Sequence, residues 1–140
     1  MSYKILTKYI KDVSFEISDP KTYFLLEKNI KNYSFVCDIK SKSIKEKIIQ
    51  IDMSLRLAPK QGGTSSGFHC SVEHSSIIQL EKDIKKEDLE KIVLIKVPEE
   101  IYPDITDIIV FLFNKSGYNK INFGEKINFV KLYETKKLQK

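Results

Sequence analysis

At 140 residues, 41% hydrophobic and 31% charged, the chain suits one globular domain (1–140) with a real core and is too apolar to be a disordered chain. Its net charge of +5 invites a nucleic-acid reading, but of 24 basic residues only Arg56 is an arginine, the side chain whose planar fork dominates phosphate and base contacts, and the lysines are interleaved with 19 acids. Nucleic acid is therefore not the expected partner, and the longest apolar run, residues 108–113, is far below the roughly 20 residues of a membrane span, so no membrane insertion is expected.

Four segments read as strands. Along Tyr9 to Ile17, Val13, Phe15 and Ile17 alternate with Asp12, Ser14 and Glu16, which gives an apolar face and an acidic, hydroxylic one. Ser18-Asp19-Pro20 ends it, and a polar loop with an apolar patch, Tyr23-Phe24-Leu25-Leu26, is expected next. A second strand runs from about Tyr33 to Ser41 with Tyr33, Phe35, Cys37 and Ile39 on one face. The third has the cleanest alternation, Ile49, Ile51, Met53, Leu55 and Leu57 against Gln50, Asp52, Ser54 and Arg56. Pro59-Lys60-Gln61-Gly62-Gly63 then signals a hairpin. The fourth runs from about Ser66 to Leu80, with Phe68, Cys70, Val72 and His74 on one face and His69, Ser71 and Glu73 on the other.

The period then becomes helical. A first helix is expected over Lys86 to Lys96, ended by Pro98 because the residue before a proline disfavours the α region. Glu99-Glu100 falls in the turn, and a second helix is expected from Tyr102-Pro103, with Pro103 at its first position. Ile105, Ile108, Ile109, Leu112 and Phe113 make its apolar stripe, Asp104 and Asp107 suit its positive end, and Gly117 sits where a glycine cap belongs. A last helix is expected from about Asn128 towards Leu138, with Val130, Tyr133 and Lys137 on one side. Strands followed by helices predict an α+β domain, a four-stranded antiparallel sheet with helices packed on one face.

The residues supply little chemistry. His69, Cys70 and His74 are the one candidate metal cluster, but on a strand His69 points away from the other two, so no metal is expected. Gly62 to Gly67 lacks the Gly-Lys-Ser/Thr ending of a phosphate loop. Cys37 and Cys70 read as buried, reduced thiols. With no converging acid, base or nucleophile, a non-enzymatic binding protein without cofactor is expected. The N-terminus lacks the apolar region and cleavage site of a signal peptide, so the expected location is cytoplasmic.

Several segments resemble the SecB family of export chaperones. Residues 9–16 look like its opening strand, and Ser66-Gly67-Phe68-His69-Cys70-Ser71-Val72-Glu73 like its fourth strand. Val97-Pro98-Glu99-Glu100-Ile101-Tyr102-Pro103 is similar to the family's Cys-Pro-x-x-Leu-Phe-Pro turn. Gly117-Tyr118, Ile121-Asn122-Phe123 and Ile127-Asn128-Phe129 with Leu132-Tyr133 resemble its closing signature. The resemblance implies a homotetramer, a dimer of dimers, that binds unfolded polypeptide clients without ATP and passes them to the SecA translocase. It places SecA contacts on Asp12 and Glu16, and the assembly face on Phe68, Cys70, Val72 and His74. The exposed apolar residues assigned to clients are Tyr23, Phe24, Leu25 and Tyr102. The family's fourth-strand SecA contacts, an apolar residue and an acid, fall on His69 and Ser71, which do not match; Glu73 shares their face. The basic charge, the Tyr102–Asp107 segment and the lysine-rich C-terminal end also depart from the family. They suit either a diverged export chaperone or one dedicated to a single client, as in toxin–antitoxin–chaperone systems.

Overall fold

The structure, a computed structural model, describes residues 2–60, 67–118 and 127–138, with the side chains of the last helix described as far as 135. Most of the Pro59–Gly63 turn, the Gly62–Gly67 loop, Ile121–Phe123 and the side chain of Lys137 lie outside the described residues. The strands are β1 (Tyr3–Ile17), β2 (Tyr33–Lys45), β3 (Ile48–Pro59) and β4 (Phe68–Leu80). They form one antiparallel sheet in the order β1-β4-β3-β2, which leaves β1 and β2 as its edges. The helices are α1 (Pro20–Asn29), α2 (Lys86–Lys91), α3 (Val97–Lys115) and α4 (Phe129–Leu138).

The sheet has one apolar face because its alternation is in phase across the strands. Ile49, Ile51, Met53, Leu55 and Leu57 of β3 are buried beside Phe68, Cys70, Val72 and Ile78 of β4. Helix α3 lies over them with Val97, Ile101, Ile105, Ile109 and Phe113, every fourth residue, pointing into the sheet. Burial of this stripe is the main stabilising contribution, at about 1.5–3 kcal/mol for each large apolar side chain. Phe113 meets Phe15 edge-on at 5.2 Å and Phe68 at 5.9 Å, closing the core at that end of the sheet.

Four expectations are corrected. First, β1 begins at Tyr3, not Tyr9. Two bulges, between Ile5 and Thr7 and between Ile10 and Asp12, each insert a residue and shift the apolar phase, so no single alternation runs along the strand. Second, the expected loop after β1 is helix α1. The Asp19 carboxylate accepts from Thr22 N at 2.7 Å as the N-cap and Pro20 takes the first turn, a start signal present in the sequence.

Third, Pro98 does not end a helix. Residues Ile92–Lys96 form a π turn in which Val97 N bonds the Ile92 carbonyl, and the chain runs directly into α3. Pro98 has no N–H to give and crowds the carbonyl four residues back; the wider π turn accommodates it, and burial of Val97, Pro98 and Ile101 outweighs the local preference. Pro103 therefore lies inside α3, on its exposed side, and Glu99-Glu100 occupies the first turn, where Tyr3 Oη donates to Glu100 at 3.4 Å. Fourth, the inward side of α4 is Phe129 and Tyr133, while Val130 is exposed.

Gly117 is the cap that the sequence predicts. At φ +95° it turns the chain out of α3, with Tyr118 N bonding Phe113 O at 3.1 Å and Gly117 N bonding Asn114 O at 3.2 Å, a Schellman pair. The turn delivers Tyr118 onto Tyr23 of α1, rings stacked at 4.6 Å, with Tyr118 Oη donating to the Tyr23 carbonyl at 2.8 Å. The cap of α3 thus fixes α1 to the body.

Candidate functional site

A depression of about 880 Å³ runs beside β2. It is lined by Phe35, Val36 and Cys37 and by Asn128, Lys131, Leu132 and Thr135, one face of α4 with its cap. Three consecutive strand residues point alternately to opposite sides, so a cleft that touches all three follows the strand's edge. That edge is the sheet's outer border and pairs with no further strand among the described residues. A small cavity of about 40 Å³ shares Cys37 and Leu132 with that depression and Leu94 with a second cleft of about 350 Å³, which touches Ser41, Lys42 and Ser43, again consecutive, against Lys86, Leu89 and Glu90. Together the three line β2 from Phe35 to Ser43 as an interrupted groove, roughly 30 Å at the rise of a strand. Its lining mixes apolar side chains with polar and charged ones, and the unpaired border of β2 runs along it. Sequence reasoning missed it, although one signal was present: Phe35-Val36-Cys37 breaks the alternation of β2, and Val36 stays exposed.

The four residues assigned to clients fall in two places. Tyr102 stands behind the groove, its ring edge-on to Phe35 at 6.4 Å and to Phe129 at 5.7 Å. Tyr23, Phe24 and Leu25 lie on α1. Tyr23 is half-buried against Tyr118, while Phe24 and Leu25 face solvent. Tyr23 and Phe24 border a depression of about 600 Å³ with Phe15 and Ile17 at the β1 edge.

The open face of the sheet carries the acids. Asp12 lies opposite Glu73, and Glu16 opposite His69. Like charges directly across strands repel. Lys11, at the second bulge, answers them, reaching Asp52 at 3.0 Å and Glu73 at 3.4 Å. These hydrogen bonds, to Asp52 first and then Glu73, raise the Lys11 pKa. Burial pushes Asp52 up, but the donors around it, Gln50, Ser75 and Lys11, outweigh burial and hold it low. Asp12 and Glu16 are both exposed on this face, as the alternation predicts.

The residues assigned to assembly are placed differently. Phe68, Cys70, Val72 and His74 all lie in the protomer's own core, covered by its helices, and offer a partner no surface. A face that is apolar in sequence cannot reveal whether its own helix or another subunit covers it. Burial pushes the Cys70 thiol to about 12, so it is inert. Of the two cysteines expected to be buried only Cys70 is; Cys37 is half-buried. His74 is 5% exposed and its Nδ1 has no hydrogen-bond partner among the described residues; burial lowers its pKa, Asp104 raises it and Lys8 lowers it again. Lys8 and Asp104 pair at 2.8 Å across β1 and α3. No cluster of metal-ligating side chains occurs among the described residues, and no helix there is long and apolar enough to cross a membrane.

Comparison with known proteins adds the following. The family described as "SecB: Preprotein translocase subunit SecB" matches residues 1–140. A provisionally named protein-export protein SecB of Pelagibacter ubique (strain HTCC1062) is 37% identical over 134 residues, 95% of each chain. Protein-export protein SecB 1 of Gluconobacter oxydans (strain 621H) is 24% identical over 148 residues, covering 99% of this chain and 84% of the relative. Among solved structures, a SecB-like chaperone of Mycobacterium tuberculosis, in complex with a ChAD peptide from the HigA1 antitoxin, superimposes with a TM-score of 0.62 over 91% of each chain at 11% identity, a likeness of fold.

Proposed function

This chain belongs to the SecB family, and from that premise we propose that it is a cytoplasmic, non-enzymatic holdase that binds unfolded polypeptides without ATP and delivers them to the SecA translocase. The observation that carries the reading is the apolar groove along the unpaired edge of β2. An extended chain laid there meets backbone hydrogen-bonding groups that do not depend on its sequence, and apolar walls that are tolerant of it. Tyr102 backs this groove, and Phe24 and Leu25 supply a second apolar contact for a long client. A reduced, unfolded client that aggregates equally with and without excess protein would defeat the proposal.

Assembly as a homotetramer is proposed through the other edge. β1 is 15 residues long and leaves Leu6, Tyr9, Ile10 and Val13 exposed, the kind of border that a second copy covers. Light scattering at micromolar concentration tests it against the 16.3 kDa of one chain.

SecA docking is proposed at Asp12 and Glu16, with Glu73 on the same face. Lys11 occupies part of this acidic strip and Ser71 adds no charge, so docking is weak and sensitive to salt. Asp12→Lys with Glu16→Lys abolishes it and leaves client binding intact. Those neutralising contacts favour a second reading, a chaperone dedicated to one client. The fold-likeness to a chaperone solved with an antitoxin peptide is compatible with it. Wild-type protein that shows no SecA binding even at low salt would make this reading the better one.

A further inference from the structure

We propose that the β2 groove prefers extended polypeptide segments in which acidic residues flank a short apolar stretch; this rests on the reading of the groove as the client site. The apolar walls set the middle of such a segment, and the charges set its ends. Lys131 of α4 lines one end, and Lys42 of β2 with Lys86 of α2 line the other. All three are exposed, and none is in an ion pair among the described residues. Asp38 and Lys40 of β2 both point to the open face, opposite Ser54 and Asp52, and take no part in the groove's charge.

The lining lysines outnumber the acids. The Glu90 carboxylate, the one acid lining the groove, accepts from Tyr133 Oη at 3.4 Å, and Glu134 does not line it. With three ammonium groups against one carboxylate, the trough attracts carboxylates at its ends and repels a lysine-rich segment, while the apolar middle sets the register. The alternative anionic polymer, a single-stranded nucleic acid, is disfavoured. The unpaired strand edge along the groove matches a peptide strand, and no arginine is among its described lining residues.

Three fluorescent peptides of about twelve residues, with one alternating apolar core and flanks of aspartate, serine or lysine, test the proposal by anisotropy. At about 50 mM salt the acidic peptide is expected to bind about tenfold more tightly than the basic one, and the gap to shrink at about 300 mM. Lys42→Glu with Lys131→Glu, both at exposed positions, reverses the order while circular dichroism stays unchanged. Equal affinity for the three peptides, or a preference for the basic one, overturns the inference and leaves the client site standing. Failure of all three to bind, together with no suppression of aggregation, removes the client site itself. A single-stranded oligonucleotide that displaces the acidic peptide and depends on the same lysines overturns the inference in favour of nucleic acid.

Discussion

Replacing Gly117 by alanine tests the link between the α3 cap and the placement of α1. At φ +95° a residue with a side chain adopts a disfavoured backbone, at about 1–2 kcal/mol. A methyl group there also meets Tyr23 Oη at 2.6 Å, far inside contact distance, whereas the next atom, Tyr23 Cζ, lies at an ordinary 3.6 Å. The ring has to swing away and gives up its stacking on Tyr118, worth about 0.5–1.5 kcal/mol. The expected loss is about 2–3 kcal/mol, which at a urea dependence of about 2 kcal/mol per molar moves the unfolding midpoint down by roughly 1 M. The hydroxyl carries the clash, so adding Tyr23→Phe restores about 1 kcal/mol and leaves the backbone term. The two substitutions are therefore non-additive, and a double-mutant cycle at fixed protein concentration measures the coupling. Additive costs, or a neutral Gly117→Ala, would refute this account of how α1 is held.

Burial lowers the His74 pKa from 6.5, so as pH falls the unfolded chain takes up the proton first; stability is full above about pH 6.5 and declines below it. His74→Leu removes the unpaired Nδ1 and flattens the slope of the urea midpoint between about pH 5 and 7; an unchanged slope would count against the assignment. Lys47 closes the β2–β3 turn at φ 65°. Lys47→Gly relieves about 1–2 kcal/mol of backbone strain against roughly 0.5–1 kcal/mol of added unfolded-state entropy, a net gain of about 0.5–1 kcal/mol in urea unfolding. Its ion pair with Asp83, at 3.7 Å on the surface, contributes little. Iodoacetamide followed by mass spectrometry should label Cys37 in the groove more slowly when a client peptide is bound, and Cys70 only after unfolding.

Period-two and period-four patterns are local, so the sequence alone determined β3, the two faces of β4, the α3 stripe from Ile105 to Phe113 and the glycine cap at Gly117. The exposure of Asp12 and Glu16 followed from the same alternation. Tertiary structure decided what depends on a neighbour. The bulges of β1 shift its phase because β4 sets its register. The helix runs on from α2 through Pro98 because burial of Val97 and Ile101 outweighs a local steric preference. The groove exists because β2 is the last strand and α4 lies beside it, two facts of topology that no stretch of β2 or α4 contains. For the same reason Phe68, Cys70, Val72 and His74 carry no sign in sequence of whether their own helix or another subunit covers them. An apolar side chain gains equally from either, and only the packed chain distinguishes the two.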